Sequence, residues 1–275
     1  MTIEVKRYDK AAYENKYAAI SNQAIAGVGA TKVALRRLLA TTNQTGWSRR
    51  EETGRLDRRA LTRFAIGDAN IFARREQKVS TTSVVQILID ASGSTSERVE
   101  QDKNRTSDKR RIEVFSEVAT HLSKILDECG VTLGITAFWG QAQTLGINGQ
   151  QNEDVTFLDI KGYRESLRSV KAAIAAINGL SCGATPDYTA LKLVLLELAA
   201  QKEQRKVLFF LTDVDSYNKR GAQHLDDLAK KLGVTIIGIG VGDADITGCF
   251  THSANVKSVA EVFTQSFNKL LSAVK

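Results

Sequence analysis

The sequence predicts an α/β fold in which a doubly wound, mostly parallel sheet is covered by helices on both faces, with an N-terminal helical appendage. Two observations predict the sheet. From residue 80 onwards, short apolar runs alternate with longer amphipathic stretches, and each run is almost continuously apolar, as expected for strands that are buried on both faces. A third observation predicts the appendage, because residues 1–79 lack such runs and are mostly helix-forming.

The predicted elements follow one another in regular alternation. The predicted strands are Val84–Ile89, Val131–Phe138, Lys206–Thr212 and Val234–Val241, with Val155–Ile160 as a weaker fifth. The predicted helices are Arg111–Cys129, Arg164–Ile177, Tyr188–Gln201, Ala222–Leu232 and Val259–Val274. Strands that alternate with helices in this way form parallel sheets, and ligands of such sheets bind beyond the carboxyl ends of the strands. We therefore expect the functional site at that edge.

Residues 1–79 are predicted to be a basic helical segment, and residues 80–275 the α/β domain. Helix-forming residues span Lys10–Leu39, a polar break follows at Thr41–Thr53, and Leu56–Ile66 is again typical of a helix. Residues 1–80 carry 16 Lys and Arg against 8 Asp and Glu, so the whole net charge of +7 comes from this part of the chain. Such a segment can contact nucleic acid or an acidic protein face, or it can be the solvated side of helices.

The composition excludes several classes of protein. The chain is 43% hydrophobic and 25% charged, which is ordinary for a globular protein. Its three cysteines form no C-x-x-C pair, and its three histidines lack metal-ligand spacing, which argues against a disulfide framework or a zinc site. The polar N-terminus does not resemble a signal peptide, and no apolar run is long enough to cross a bilayer. We expect a cytoplasmic protein.

A group of oxygen-bearing side chains marks the end of the first predicted strand. Asp90, Ser92 and Ser94 occupy alternate positions directly after the run VVQILI, and Gly93 allows the chain to turn tightly between them. Three hard oxygen donors at one point suit Mg²⁺, which prefers octahedral oxygen ligands and retains some of its water. Serine-rich loops after strands also commonly cap helices, so this motif alone is weak evidence.

Two further segments reach the same edge of the sheet. Thr185 precedes Pro186, the only proline of the chain, at the start of a predicted helix, and Asp213 follows the apolar strand KVLFFLT. Together with the Asp90-x-Ser92-x-Ser94 loop, these residues favour metal binding over helix capping. Asp187 and Asp215 are interpreted as solvent-exposed turn residues, and the charged run Asp102–Arg111 as a solvated insertion or a rim that contacts a partner.

This constellation resembles the metal-ion-dependent adhesion site (MIDAS) of von Willebrand factor A (vWA) domains. Within that superfamily, the chain is most similar to the C-terminal vWA domain of CobT-type cobaltochelatase subunits. The residues that carry this narrower resemblance are Gly54–Asp57, Leu61, Ile71, Phe72, Arg74 and Arg75, followed by the D-x-S-G-S loop.

The resemblance implies a role for each residue of the site. Ser92 and Ser94 would ligate Mg²⁺, or another divalent cation such as Mn²⁺, directly. Asp90 would hold the ion mostly through water, Thr185 would ligate it directly or approach when a ligand binds, and Asp213 would hold a water of the coordination shell. One position would stay open for an Asp or Glu of a partner protein.

The resemblance also implies a class of function. Relatives of this domain type commonly work with hexameric AAA+ ATPases of the chelatase or MoxR type, so we expect a non-catalytic adaptor subunit. An enzyme is not indicated, because Gly238–Gly242 (GIGVG) lies at the end of a strand without a phosphate-binding loop, and the G-x-S-x-G motif is absent. Two alternatives are a nucleic-acid-associated protein that uses its basic N-terminal segment, and an adhesive module of the cell surface.

Overall fold

A computed structural model of the protein describes residues 10–39, 44–64, 66–78, 83–102, 105–140, 155–181, 183–213, 219–242 and 245–266. The chain divides into two compact units. One comprises residues 1–39 and 83–275, and the other comprises residues 40–82.

Two N-terminal helices belong to the larger unit. Helix α1 spans Lys10–Ser21 and helix α2 spans Val28–Leu39, so the helical prediction for residues 10–39 is confirmed. Leu35 has no exposed surface. The Thr31 hydroxyl donates a hydrogen bond to the carbonyl oxygen of Phe263, 3.1 Å away, near the other end of the chain. These helices therefore share the hydrophobic core of the α/β unit.

The smaller unit is a three-stranded antiparallel sheet. Its elements are strand β1 (Gln44–Glu51), strand β2 (Arg55–Leu56), a 3₁₀ turn (Arg58–Ala60), helix α3 (Leu61–Phe64) and strand β3 (Phe72–Lys78), in the sheet order β1-β3-β2.

The helix predicted over Leu56–Ile66 is thus present only in part, because it begins after β2 and consists of the 3₁₀ turn Arg58–Ala60 and the short helix α3 (Leu61–Phe64). The physical reason lies at Gly54, whose φ of +136° and close approach to the Ala73 carbonyl oxygen suit only glycine, and which lays β2 beside β3. Strand pairing here joins polar residues, which leave no apolar period in the sequence. The domain boundary at residue 80 stays a prediction.

After residue 82, the described part of the larger unit contains eight strands, two of which form a hairpin, and five helices. The strands are β4 (Ser83–Asp90), β5 (Arg98–Asp102), β6 (Arg105–Arg110), β7 (Thr132–Gly140), β8 (Val155–Lys161), β9 (Arg205–Thr212), β10 (Val234–Val241) and β11 (His252–Val256). The helices are α4 (Arg111–Glu128), α5 (Leu167–Ala176), α6 (Asp187–Ala199), α7 (Lys219–Lys231) and α8 (Val259–Glu261), the last continued by a π-helical turn (Val262–Ser266).

Six of these strands form the central sheet in the order β11-β10-β9-β4-β7-β8. All neighbouring pairs are parallel except β7 and β8. Side chains alternate along β4, so that Ile87 lies in the core on one face and Leu88 in the core on the other. The predicted doubly wound, mostly parallel α/β fold is confirmed.

Two local differences from the predictions involve polar segments. The run Asp102–Arg111, interpreted as a solvated insertion, contains β6 of a β5–β6 hairpin and the first residue of α4. Strand β11 was not predicted and extends the sheet at one edge. Of the helix predicted over Val259–Val274, residues 267–274 lie outside the described part. None of the helices in the described part of the chain is both long and apolar enough to span a bilayer.

Candidate metal centre

The sheet reverses its winding direction between β4 and β9, and the candidate site lies beyond that switch point. From β4 the chain proceeds to β7 and β8 on one side, whereas β9, β10 and β11 follow on the other. Asp90 is the last residue of β4, and Asp213 comes directly after β9. Because β4 and β9 are parallel neighbours, their carboxyl ends bring these two residues to the same crevice, where open α/β sheets bind their ligands.

Asp90 is completely buried and held by hydrogen bonds from both sides. The backbone N–H of Ser92 donates to Asp90 Oδ1 at 2.9 Å, and the Thr212 hydroxyl donates to Asp90 Oδ2 at 3.2 Å. Thr212, which was not among the predicted site residues, is the last residue of β9. These contacts fix the orientation of the carboxylate.

The two serines connect Asp90 to Asp213 through a chain of hydroxyl groups. Ser92 Oγ and Ser94 Oγ lie 3.0 Å apart, and the Ser94 hydroxyl donates to Asp213 Oδ1 at 3.0 Å. Ser92 has no exposed surface, and Ser94 lies in the 3₁₀ turn Gly93–Ser96. Ser94 and Asp213 are 119 residues apart in the sequence, yet their oxygen atoms converge on one small region.

Burial opposes negative charge at this site. Burial, and after it the nearby charge of Asp213, raises the pKa of Asp90 to about 7, against the hydrogen bonds from Ser92 and Thr212. Burial likewise raises the pKa of Asp213, although its contacts with Arg111 and Ser94 oppose the shift. Two carboxylates that share a buried crevice repel each other, and a cation between them would relieve this repulsion.

Arg111 is a component of the site that the sequence interpretation missed. It is the first residue of α4 and is buried, and its Nη1 donates to Asp213 Oδ2 at 3.2 Å. Its Nη2 lies 3.3 Å from Glu97 Oε2, and its backbone N–H donates to the Glu97 carbonyl oxygen at 2.9 Å. Arg111 therefore joins Asp213 to the end of the loop that follows β4, residues 91–97, which we call the serine loop.

The loop that carries Thr185 is attached to the serine loop through its backbone. The Gly93 N–H donates to the Gly183 carbonyl oxygen at 3.1 Å, and Gly140 and Ala184 exchange two hydrogen bonds of 2.7 and 3.0 Å. Gly183 has a φ of +72°, and a Cβ at this position would lie 1.8 Å from the Gly140 carbonyl oxygen. Only glycine fits there, two residues before Thr185.

Ser181 is a second attachment that sequence reasoning did not identify as part of the site. Its hydroxyl donates to the carbonyl oxygens of Ser92 and Gly93, at 3.2 and 3.3 Å. Direct hydrogen bonds thus bring Asp90, Ser92, Ser94 and Asp213 together, and the half-buried Thr185 lies on a loop that is bonded to theirs.

Asp187 and Asp215 are the two further acidic residues that the sequence places near this edge of the sheet. Asp187 starts α6, and its Oδ1 accepts the N–H of Tyr188 at 2.7 Å, which is a local helix-terminus contact. Asp215 lies outside the described residues. Neither adds evidence for a role as metal ligand.

The donor set fits a hard divalent cation. The candidate ligands are two carboxylates and three hydroxyl groups, all oxygen donors of the kind that Mg²⁺ and Mn²⁺ prefer. Within the described ranges, no group of three or more His, Cys, Asp or Glu is placed to hold a metal. Hydroxyl groups and water would therefore have to complete the coordination shell.

Comparison with known families gives one match. The family described as von Willebrand factor type A domain matches residues 84–273, which include all five candidate ligands. No curated protein matches the chain.

Three solved structures of low sequence identity are similar to this chain, and the first of them shares its fold. The PilB minor pilin from Streptococcus sanguinis has a TM-score of 0.51 and 14% identity, with 74% of this chain and 64% of that chain covered. Proximal thread matrix protein 1 from the mussel byssus, in a structure with a zinc-occupied MIDAS motif, has a TM-score of 0.48 and 18% identity, with 70% and 46% covered. The SpRpn10 VWA domain has a TM-score of 0.42 and 17% identity, with 70% and 94% covered. The matched region spans less than two thirds of the pilin and of the byssus protein.

Proposed function

The chain belongs to the von Willebrand factor type A domain family, and from this premise we propose that it binds a partner protein through one divalent cation. Domains of this family are generally metal-dependent and non-catalytic modules of protein interaction. Asp90, Ser92, Ser94, Thr185 and Asp213 would hold the cation, which is Mg²⁺ or a similar ion such as Mn²⁺.

One observation carries this proposal. The Ser94 hydroxyl donates to Asp213 beside the fully buried Asp90, at the switch point of the sheet. A helix-capping loop has no need of a second carboxylate from a strand end more than a hundred residues away. Two buried carboxylates with converging hydroxyl groups are the expected surroundings of a cation.

The electrostatics of the residues favour recognition of a carboxylate. Asp90 and Asp213 together with the buried Arg111 carry a net charge of about −1 when both acids are ionised. The cation, when bound, acts as a Lewis acid that accepts an external oxygen ligand. With a divalent ion the site would be positive by about one charge, so it would attract an Asp or Glu side chain.

The partner is the finer part of the proposal. We infer an AAA+ ATPase of the chelatase or MoxR type, with this chain as a CobT-like adaptor subunit that is itself non-catalytic. The support is the resemblance of Gly54–Asp57 and Ile71–Arg75, followed by the D-x-S-G-S loop, to CobT-type subunits. The cytoplasmic location stays a prediction.

A pull-down tests the partner directly. The tagged full chain would be mixed with a purified AAA+ ATPase of the chelatase or MoxR type, in Mg²⁺ or in chelator. We expect retention of the ATPase in Mg²⁺ only, with loss of retention in Asp90→Ala. The matched control is Asp226→Ala, which removes another buried carboxylate, one that accepts hydrogen bonds from Thr251. Equal retention in Mg²⁺ and in chelator would contradict the proposal.

A further inference from the structure

The small unit of residues 40–82 carries a cleft with an unusual concentration of arginines. Its volume is about 490 Å³. We name it the arginine cleft; its walls include Arg49, Arg55, Leu56, Asp57, Arg58 and Arg59. It lies outside the segment that matches the vWA family, and the metal-site proposal does not use it.

The backbone holds these arginines close together. Strand β2 pairs Leu56 with Phe72 of β3, and the Asp57 N–H donates to the Ile71 carbonyl oxygen at 2.8 Å. Asp57 Oδ1 then accepts the N–H of Arg59 at 3.1 Å and caps the turn Arg58–Ala60. Three arginines of the cleft therefore stand within five residues along a chain segment of defined geometry.

The opposite wall comes from the distorted strand β1. The register between β1 and β3 shifts between Arg49 and Glu51, and Arg50 between them has a φ of +64°. Such bulges bend a strand and redirect its side chains. Arg49, beside the bulge, reaches Asp57 with its Nε 3.8 Å from Asp57 Oδ2. Among the described residues other than glycine, Arg50 alone has a positive φ.

Positive charge is in clear excess in this cleft. Four guanidinium groups line it, but Asp57 is the only carboxylate among the lining residues, and it is already engaged by the Arg59 N–H and by Arg49. Over residues 44–78, nine Lys and Arg stand against five Asp and Glu. Guanidinium groups bind carboxylates and phosphates through paired hydrogen bonds, so the cleft is suited to an anionic ligand.

Exposed apolar side chains, in the cleft wall and in the turns that follow it along the chain, indicate which class of anionic ligand the cleft takes. Leu56 in its wall is 45% exposed, and the following turns expose Leu61 (46%), Phe64 (59%) and Ile66 (84%). Arginine next to exposed apolar groups is typical of protein-binding hot spots, whereas affinity for nucleic acid comes mainly from cationic contacts along an extended phosphate backbone.

We propose that the arginine cleft binds an acidic segment of a partner protein, in which Glu or Asp side chains are interspersed with apolar ones. The acidic groups would pair with Arg58 and Arg59, and the apolar groups would cover the exposed side chains of α3 and the turn after it. This contact would not depend on a divalent cation.

The test uses the full chain in chelator, so that a failure of the metal-site proposal does not affect it. A fluorescent 12-residue peptide of alternating Glu and Leu is titrated by anisotropy at physiological salt, beside a Lys–Leu peptide of the same length and single-stranded and duplex oligonucleotides. We expect binding of the Glu–Leu peptide, and affinities at least about tenfold lower for the other probes.

Single charge-reversal variants distinguish peptide binding by the cleft from a general attraction to the positive charge of the small unit. Arg58→Glu should weaken binding of the Glu–Leu peptide by about tenfold or more. The matched control is Arg74→Glu, which reverses an exposed arginine of the same unit that does not line the cleft; it should change the affinity by less than about twofold. Melting curves of both variants would confirm that they fold. Equal weakening by both reversals, no binding of the peptide, or tighter binding of an oligonucleotide would overturn the proposal.

Discussion

The guanidinium group of Arg111 binds the carboxylate of Asp213, with 3.2 Å between Nη1 and Oδ2. The other oxygen of the same carboxylate, Oδ1, accepts the hydroxyl proton of Ser94. Asp213 is therefore oriented from both sides, by a residue of α4 and by the serine loop. Arg111 also contacts Glu97 at the end of that loop. It therefore links the serine loop to the end of β9 without a metal ion.

Replacement of this arginine separates its charge from its structural role. In Arg111→Gln, Asp90 and Asp213 lose their nearest counter-charge, so we expect the metal-free protein to melt at a lower temperature. Because a positive charge no longer repels the cation, the affinity for Mn²⁺ should rise, by about tenfold. Calorimetric titration with Mn²⁺ and melting curves in chelator measure both quantities. Arg111→Lys keeps the charge and should remain near the wild-type affinity. A weaker ion affinity in Arg111→Gln would indicate that Arg111 only supports the fold.

The raised pKa of Asp90 predicts a pH dependence of stability in chelator. Its folded-state pKa of about 7 lies above its usual value of 3.8. Between these values the folded state retains the proton that the unfolded state loses, so the free energy of unfolding should fall as pH rises from about 4 to about 7. Burial lowers the pKa of His121, so this residue makes the free energy of unfolding rise with pH. That contribution should be the same in wild type and in Asp90→Asn.

Denaturant titrations of the two proteins across this pH range provide the check. The stability difference between wild type and Asp90→Asn should shift against the wild type as pH rises. Mn²⁺ should bind more tightly at pH 8 than at pH 5, because the ion competes with the proton. Parallel stability curves for the two proteins would show that Asp90 ionises normally.

Ser94 and Ser96 lie in the same turn, so a variant of Ser96 is a matched control for the same variant of Ser94. Ser94→Ala removes both a candidate ligand and the hydrogen bond to Asp213, so the affinity for Mg²⁺ should drop by at least about tenfold. Ser96→Ala removes an exposed hydroxyl that donates to the Gly93 carbonyl oxygen and should leave the affinity within about twofold. Calorimetry on both variants compares them. Similar losses would mean that the turn matters only for its conformation.

The loop of Thr185 depends on a glycine that no other residue can replace. Gly183→Ala would place a methyl group against the Gly140 carbonyl oxygen in a left-handed backbone conformation, and we expect a loss of about 2 kcal/mol or more in stability. Metal affinity should fall as well, because the loop is bonded to Gly93. Gly179→Ala is the control, since its Cβ meets nothing within 4 Å. Thermal melts of the two variants that coincide would contradict this role of Gly183.

The sequence predicted the parts of the fold in which burial leaves a pattern. Strands β4 and β9 are buried on both faces, and each lies within a residue of its predicted bounds. Strand β11, HSANV, pairs along one side only and has one fully buried residue, so it carries no apolar run. The strands of residues 44–78 are also polar, and in their described side chains only Ala73 is buried.

Residues of the candidate site could be predicted only where their order and spacing resemble the MIDAS motif. Asp90, Ser92, Ser94, Thr185 and Asp213 follow the ends of predicted strands and the start of a predicted helix, and topology alone brings those ends together. Arg111 could not be predicted, because its partner lies 102 residues away and its neighbours form a charged run that is typical of solvated segments. Such pairs depend on which helix packs beside which strand end.

Calorimetric titration of Asp90→Ala with Mg²⁺ and Mn²⁺ tests the central claim most directly. Wild type and the control Asp226→Ala should bind one ion with similar affinity. Asp90→Ala should show no measurable binding but should melt in chelator at the wild-type temperature or higher, because removal of one buried carboxylate relieves its repulsion by Asp213. If Asp90→Ala binds the ion with near wild-type affinity, then the Asp90-x-Ser92-x-Ser94 loop is only a helix-capping turn and the proposed metal centre does not exist.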